Sequence, residues 1–196
     1  KKSELSAFAP FTKITGEVGV DTVTFNGEFA SYSVDTSNKI WTVTEDFTLH
    51  TYSVESIERI AFSNKIIAYD IDENAGNTVK LLGLLLGKDQ ATNKTYVGAG
   101  LKLLDDGMTY EQLMGAALDV ILGANASSLS VVELIWNNLI GPPTPADNIS
   151  QYSALIDNGA YTSAGLAIAA ANHDLNATNI DLVGLAQTGV EYIPYG

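Results

Sequence analysis

The sequence predicts an α+β fold, with a small antiparallel β-sheet on the N-terminal side followed by a C-terminal helical bundle. Three observations carry this. Up to about Ile71 the apolar residues alternate with polar ones in short runs; beyond Asn74 they recur at helical spacing; and the change falls in one aspartate-rich stretch, Asp70-Ile71-Asp72-Glu73-Asn74. The chain therefore divides into a β-rich region, residues 1–72, and a helical region, residues 73–196.

In the first region, glycines bracket Val20-Asp21-Thr22-Val23-Thr24-Phe25, which reads as a strand with Val23 and Phe25 on one face. Similar runs follow at Tyr32-Ser33-Val34, Ile40 to Thr44, Ile57 to Phe62 and Ile66 to Ile71, separated by Asn26-Gly27, Asp35 to Asn38 and Ser63-Asn64. Strands this short and closely spaced predict hairpin connections and mostly antiparallel pairing.

The second region opens with Val79, Leu81, Leu82, Leu85 and Leu86, a helix apolar on nearly every side and so expected at the centre of a bundle. Thr109-Tyr110-Glu111-Gln112 and Ser130-Val131-Val132-Glu133 have capping-box spacing, each ahead of an apolar stripe. Gly141-Pro142-Pro143-Thr144-Pro145 must end the second of these helices. Further helices are expected from Ile149 to Ile156, from Ser163 to about Asn172, and from Asn179 to Gln187 with Asn179 as its cap. This half also repeats itself weakly. Leu84 to Gly87, Leu103 to Gly107 and an alanine-containing helix are echoed by Asn138 to Gly141, Leu155 to Gly159 and Ala167 to Ala170, which predicts one bundle built from a duplicated unit.

Composition narrows the function. At 196 residues and 46% apolar content the chain can bury a real core. Its 23 acidic against 10 basic residues give a net charge of -13, which disfavours nucleic acid and anionic membranes and suits divalent cations. Cysteine is absent, so disulfides and thiolate metal sites are excluded. The most apolar run, Val79 to Leu86, is far short of a bilayer span, so no membrane insertion is expected, and the chain reads as soluble and open to being a fragment of a longer one.

The candidate chemistry is calcium. Asp70, Asp72 and Asn74 place oxygen ligands at alternate positions, as in the first half of a calcium loop, but the glycine is displaced to Gly76 and Leu81 stands where a bidentate glutamate is needed. The competing account is that Asp72 or Asn74 caps the first long helix, and the incomplete match favours it. Gly16 to Val23 resembles one degenerate unit of the glycine- and aspartate-rich calcium repeat, with Asp21 as its acid; one unit cannot form a site alone, so Asp21 reads first as a turn residue. Asp105-Asp106-Gly107 and Asp157-Asn158-Gly159 read as helix ends closed by glycine, with solvated acids. His50 and His173 have no partners at zinc spacing, and no Gly-x-Ser-x-Gly elbow occurs, so no catalytic set is predicted. Trp41 and Trp136 fall on apolar faces and read as core, whereas Tyr192-Ile193-Pro194-Tyr195 either docks on the bundle or protrudes as a contact strip.

Taken together, the degenerate repeat ending Asp21-Thr22-Val23-Thr24-Phe25, the run from Ser56 to Ile71, and the ending Asn179-Ile180-Asp181-Leu182-Val183-Gly184-Leu185 resemble the helical domain with a β preface found at the C-terminal end of many bacterial RTX-type proteins exported by type I secretion. The resemblance covers about residues 16–193. Ser56-Ile57-Glu58-Arg59-Ile60-Ala61-Phe62-Ser63 followed by Asp70 to Gly76 is its most specific part. Family members usually carry an arginine and a proline-aspartate pair after the first helix and a Gly-x-x-Tyr-Trp run before the second; here Gly87-Lys88-Asp89 and Tyr96-Val97-Gly98 stand there. The resemblance implies extracellular or cell-surface placement, export through an uncleaved C-terminal signal, calcium-rich surroundings and no enzymatic activity. The expected function is a noncatalytic structural or interaction module serving secretion, surface attachment or self-assembly, with a surface protein, a glycan or a second copy as partner. The alternative is a carbohydrate-binding module using Tyr96, Tyr192 and Tyr195.

Overall fold

A computed structural model describes residues 11–145 and 147–195. It is α+β, as the patterning predicts, and divides into two compact units between Ile67 and Ala68, a few residues before the expected boundary.

The first unit contains β1 (Phe11–Thr15), β2 (Thr22–Thr24), β3 (Tyr32–Asp35), β4 (Trp41–Glu45), β5 (Thr51–Glu55), β6 (Arg59–Ala61) and β7 (Ile66–Ala68). Antiparallel pairing joins β3 to β4 and β4 to β5, as short runs with tight turns require. The remaining pairing departs from the expected single antiparallel sheet. β1 runs parallel to β5, with Phe11 opposite Thr51 and Thr15 opposite Glu55, and β2 runs parallel to β6, with Thr22 opposite Arg59. These strands belong to two sheets, one ordered β1-β5-β4-β3 and the other containing β2-β6-β7.

One geometric fact explains both parallel pairs. The segment from Phe11 to Thr24 follows the segment from Thr51 to Ala61, and both bend at the same level, where Gly16 donates its N–H to the Glu55 carbonyl at 2.9 Å. A Cβ at Gly16 would sit 1.9 Å from the Ser56 carbonyl oxygen, so only glycine allows this approach, and Ser56 takes a left-handed φ of 55° to complete the bend. A pairing so distant in sequence leaves no local trace. Val43, Val54 and Ile60 are fully buried, and a cluster of rings closes the unit, with Phe25 lying 4.9 Å from Tyr52, 5.2 Å from Tyr32 and 5.7 Å from Phe62.

The second unit contains α1 (Asn74–Leu86), α2 (Lys94–Asp105), α3 (Tyr110–Leu122), α4 (Ser128–Leu139), α5 (Ser150–Asp157), α6 (Ser163–Ala171), α7 (Asp174–Asn179), α8 (Leu182–Thr188) and β8 (Val190–Tyr192). α1 is the central element the sequence predicts: Val79, Leu84 and Leu85 are fully buried, and the helix packs on α2, α3, α4, α6 and α7. Gly83 faces Ile180, whose methyl carbon would lie 2.3 Å from an added Cβ.

The duplication is real and is visible in the side chains. α1-α2-α3 and α4-α5-α6 are equivalent triads, with α1 packed on α4 and α3 on α6. The first residue of each leading helix bonds the aspartate ending the second: Asn74 Nδ2 donates to Asp105 at 2.7 Å, and Ser128 Oγ donates to Asp157 at 2.6 Å. Each second helix closes on a glycine of positive φ, Gly107 at 98° and Gly159 at 78°. At the first of these, Gly107 N–H bonds the Leu104 carbonyl and Met108 N–H the Leu103 carbonyl, the paired bonds of a Schellman motif. Each third helix is capped by a threonine, Thr109 through the predicted capping box with Gln112 and Thr162 through the Gly165 N–H. Each leading helix also has its C-terminal carbonyls bonded by an asparagine amide, Asn138 reaching Leu84 and Leu85, and Asn179 reaching Leu139.

Three boundaries differ from the sequence reading. α4 starts at Ser128 with Ser127 as its cap, because the Ser127 hydroxyl rather than that of Ser130 accepts a helix amide. Asn179 ends α7 instead of capping the final helix; that cap is Asp181, in the left-handed region at φ 52°, accepting the Gly184 N–H. α7 itself was not expected, being only six residues long and dependent on His173, whose Nδ1 accepts the Leu175 N–H at 3.1 Å.

Candidate functional site

The aspartate-rich hinge is ordered by its own backbone. The Asp70 carboxylate accepts the Ala75 N–H at 3.1 Å, while the Asp70 carbonyl accepts the Glu73 N–H at 3.0 Å. Capping is therefore the role observed here, but the residue that accepts the helix amide is Asp70 and not Asp72 or Asn74. Asp72 is exposed, and Asn74 turns its amide to Asp105. Gly76 is needed at this point because an added Cβ would lie 1.6 Å from the Ile71 carbonyl oxygen, which explains the glycine's displacement from the position a calcium loop requires.

Asp21 lies in the first unit and closes a turn. Its Oδ2 accepts the Glu17 N–H at 2.8 Å, its own N–H donates to Glu58 at 2.8 Å, and its carbonyl accepts the Glu58 and Arg59 amides. The residues considered as calcium donors are each engaged in other bonds: one Asp70 oxygen accepts a helix amide, Asn74 donates its amide to Asp105, and one Asp21 oxygen closes a turn. Among the described residues no group of three or more His, Asp or Glu side chains is placed to hold a metal ion. The two histidines are structural as well, His50 bonding Thr12 Oγ1 at 2.8 Å and His173 opening α7.

Asp105 and Asp157 are exposed helix-end acids, as read, and in addition accept the bonds that tie each second helix to its leading helix. Tyr192 and Ile193 dock: the Ile193 N–H donates to the Lys94 carbonyl at 3.1 Å, and the Ile193 carbonyl oxygen would lie 1.8 Å from a Cβ at Gly98. Tyr195 and Tyr96 remain exposed.

Each triad of the helical unit carries an apolar groove. The first, about 380 Å³, is walled by α1, α2 and α3; the second, about 300 Å³, by α4, α5, α6 and the start of α7. The two are lined by equivalent residues, 54 positions apart along the chain in the leading helices and 53 apart in the third helices. Thr78, Leu81, Leu82, Leu85 and Leu86 of the first correspond to Val132, Ile135, Trp136, Leu139 and Ile140 of the second. Leu113, Ala116, Ala117 and Val120 correspond in turn to Leu166, Ala169, Ala170 and His173. The grooves have diverged in chemistry. The first is aliphatic with Tyr96 at its edge, whereas the second carries Trp136 and Tyr152 with ring centroids 5.7 Å apart, and His173 beside them. Trp136 is thus a half-buried groove residue instead of the core residue its apolar face predicts.

The sequence reading missed both grooves, although it found the repeat that builds them. Doubling the apolar stripe of each leading helix was the available indication: Leu81, Leu82, Leu85 and Leu86 are more than one packing face can use. Among the described residues no helix is long and apolar enough to cross a membrane. No protein-family model, no curated protein and no solved structure matches this chain.

Proposed function

We propose that the chain is a noncatalytic structural or interaction module of an exported, RTX-like bacterial protein, acting outside the cell in surface attachment or self-assembly. One observation supports this reading above the others: the duplicated helical unit presents two equivalent grooves whose linings are mostly apolar, which suits apolar contact. Export and extracellular placement rest on the resemblance of residues 16–193 to the RTX-associated domain, and the net charge of -13 is compatible with cation-rich surroundings.

The test joins size with turnover. Sedimentation velocity across a concentration series, with and without calcium at matched ionic strength, is expected to show association. Glycan, ester and peptide hydrolysis panels are expected to show no turnover. Reproducible turnover lost on replacing a single acid overturns the reading.

A second reading, a carbohydrate-binding module, is favoured by the Trp136 and Tyr152 rings at the second groove, because sugar rings stack on aromatic faces. The exposed Tyr96 and Tyr195 extend that surface chemistry, whereas Tyr192 is half-buried. Glycan-array binding lost in Trp136→Ala and retained in Tyr96→Ala would select it.

A further inference from the structure

We propose that His173 makes the edge of the second groove pH-sensitive: its neutral ring fastens the first turn of α7, and protonation releases that turn. As regulation of a contact surface this rests on the module reading, but the device is a matter of hydrogen bonding within one chain and is tested without a partner.

Geometry fixes the tautomer. The Leu175 backbone N–H can only donate, and its acceptor at 3.1 Å is His173 Nδ1. Nδ1 therefore presents a lone pair, and the neutral ring carries its proton on Nε2. An imidazolium has a proton on both nitrogens, so the ring cannot become charged and keep this bond. Its charge would also stand at the positive end of the helix dipole. Both effects act in the same direction, and α7 loses its cap when His173 gains a proton.

The charged surroundings of the ring are few. α7 packs on α1, α4, α6 and α8. From α1, Lys80 Nζ donates to Asn172 Oδ1 at 3.2 Å, one residue before His173, and adds to the cost of a second cation. α6 and α8 contain no titratable residue, and Asp181, which caps α8, is bonded to the Gly184 N–H. The residues of α4 that share the groove with His173 are uncharged, Glu133 not being among them. Across the groove stands the phenol of Tyr152 on α5, and on α7 the exposed carboxylate of Asp174 follows the ring in sequence and offsets part of the cost. Of these residue types only histidine ordinarily changes charge between about pH 5 and 8, and the chain's other histidine, His50, belongs to the first unit.

The release is confined to one turn. Further along α7, the Asn176 side chain is buried and donates to the Lys80 and Ala171 carbonyls, which holds the helix to α1 and α6 whatever the pH. Ahead of that anchor, His173 and Leu175 both line the second groove with Trp136, so the turn that comes free is a piece of its wall. The first groove has no such device, since Val120 stands at the place that His173 occupies in the second. Acid therefore loosens one groove and leaves the other intact.

The test is nuclear magnetic resonance of the full chain between pH 8 and 5, on the wild type, His173→Asn and His173→Ala. Asparagine carries its Oδ1 as many bonds from Cα as Nδ1 and caps helices well without titrating, whereas alanine has no acceptor. His173 is exposed, so both variants should fold as the wild type does. The wild-type ring nitrogens should report the Nε2–H tautomer at pH 8. As the ring titrates, the Leu175 amide and the Trp136 indole N–H should shift with the same midpoint, and exchange protection at Leu175 should fall about fivefold, the effect of losing a typical cap. That protection should hold across the range in His173→Asn and be low throughout in His173→Ala, while the wild-type Val120 methyls should not follow the His173 midpoint. A neutral ring protonated on Nδ1 overturns the device, as does a Leu175 amide that ignores the titration. An equal acid response in His173→Asn also overturns it, because the proton then acts elsewhere. Val120 methyls that move with the His173 midpoint overturn its confinement to the second groove. None of these results touches the module reading, which is judged by association and turnover.

Discussion

Replacing Asp70 separates a helix cap from a calcium ligand. Asp70→Ala removes the acceptor of the Ala75 N–H at the start of the most buried helix of the second unit. Losing a cap costs about 1 kcal/mol, and losing a carboxylate at a half-buried helix N-terminus adds up to about another 1 kcal/mol. The expected loss is therefore about 1–2 kcal/mol, a fall of roughly 0.5–1 M in urea midpoint at a slope of about 2 kcal/mol per molar. Asp70→Asn keeps a capping oxygen and should cost only a few tenths, because Asn and Asp cap about equally well. Asp72→Ala, at an exposed side chain with no cap to lose, should stay within about 0.5 kcal/mol. Calcium ligation predicts a different order. Both alanine variants and Asp70→Asn would then lose stability only in calcium, and calcium at about a hundred times its Kd would add about 2.7 kcal/mol to the wild type. Urea unfolding followed by far-ultraviolet circular dichroism, with and without calcium at matched ionic strength, decides the matter. A calcium-dependent midpoint in the wild type that Asp72→Ala abolishes would refute the capping argument.

Further predictions come from the same unit. Tyr110 buries its hydroxyl without a hydrogen-bond partner, so Tyr110→Phe should leave stability unchanged or raise it by up to about 1 kcal/mol in the same urea assay. Burial pushes the Tyr69 phenol up to about 12 and raises that of Tyr110 as well. Both are neutral in the folded and unfolded states below about pH 10, so they cost nothing there; above it only the unfolded chain ionises freely, and stability should fall between pH 10 and about 12, less steeply in Tyr110→Phe. Gly98→Ala drives a methyl into the Ile193 carbonyl and should release the C-terminal segment, read as faster hydrogen exchange at the Ile193 amide, which now bonds Lys94. Asp105→Ala and Asp157→Ala remove equivalent bonds and should cost similar amounts, about 1 kcal/mol each; a large asymmetry would show that the two triads no longer share a role.

What the sequence disclosed and what it withheld divide along a physical line. Helical spacing, the Thr109 capping box and the Asx-Gly turns are local, each specified by residues three or four apart, and they placed the bundle and its repeat correctly. The parallel pairing of β1 with β5 and of β2 with β6 depends on contacts across some forty residues and on one close approach at Gly16, which periodicity cannot register. α7 was missed because its order comes from one histidine cap and from packing, at a length where propensity alone decides nothing. The cap falls on Asp70, two residues before Asp72 and four before Asn74, because the hinge enters α1 through a turn closed on Gly76, so the nearest acid to the helix in sequence is not the one that bonds it. The grooves stayed hidden because an apolar stripe has the same sequence whether a neighbour covers it or leaves it open.

That last ambiguity bears on why the unit is duplicated at all. One triad exposes one groove, and a pair related by packing α1 on α4 and α3 on α6 buries the shared faces while leaving both grooves at the surface. If the duplication served only to build a core, the groove positions would be free to fill in, and the simplest filling would exchange Ala116 or Ala169 for a larger apolar residue. Alanine stands at both equivalent places, while Leu82 and Trp136 differ at the facing wall. Alanine at both equivalent places leaves each groove open, either as a packing gap or as a socket for an occupant. Ala116→Leu and Ala169→Leu test it directly: filling an idle gap should raise stability by up to about 1 kcal/mol per variant, with no effect on association. Filling a working socket should instead weaken the self-association expected of the module, in whichever variant blocks the groove that makes the contact. Association that survives both variants at wild-type strength would show that the openings are only packing gaps.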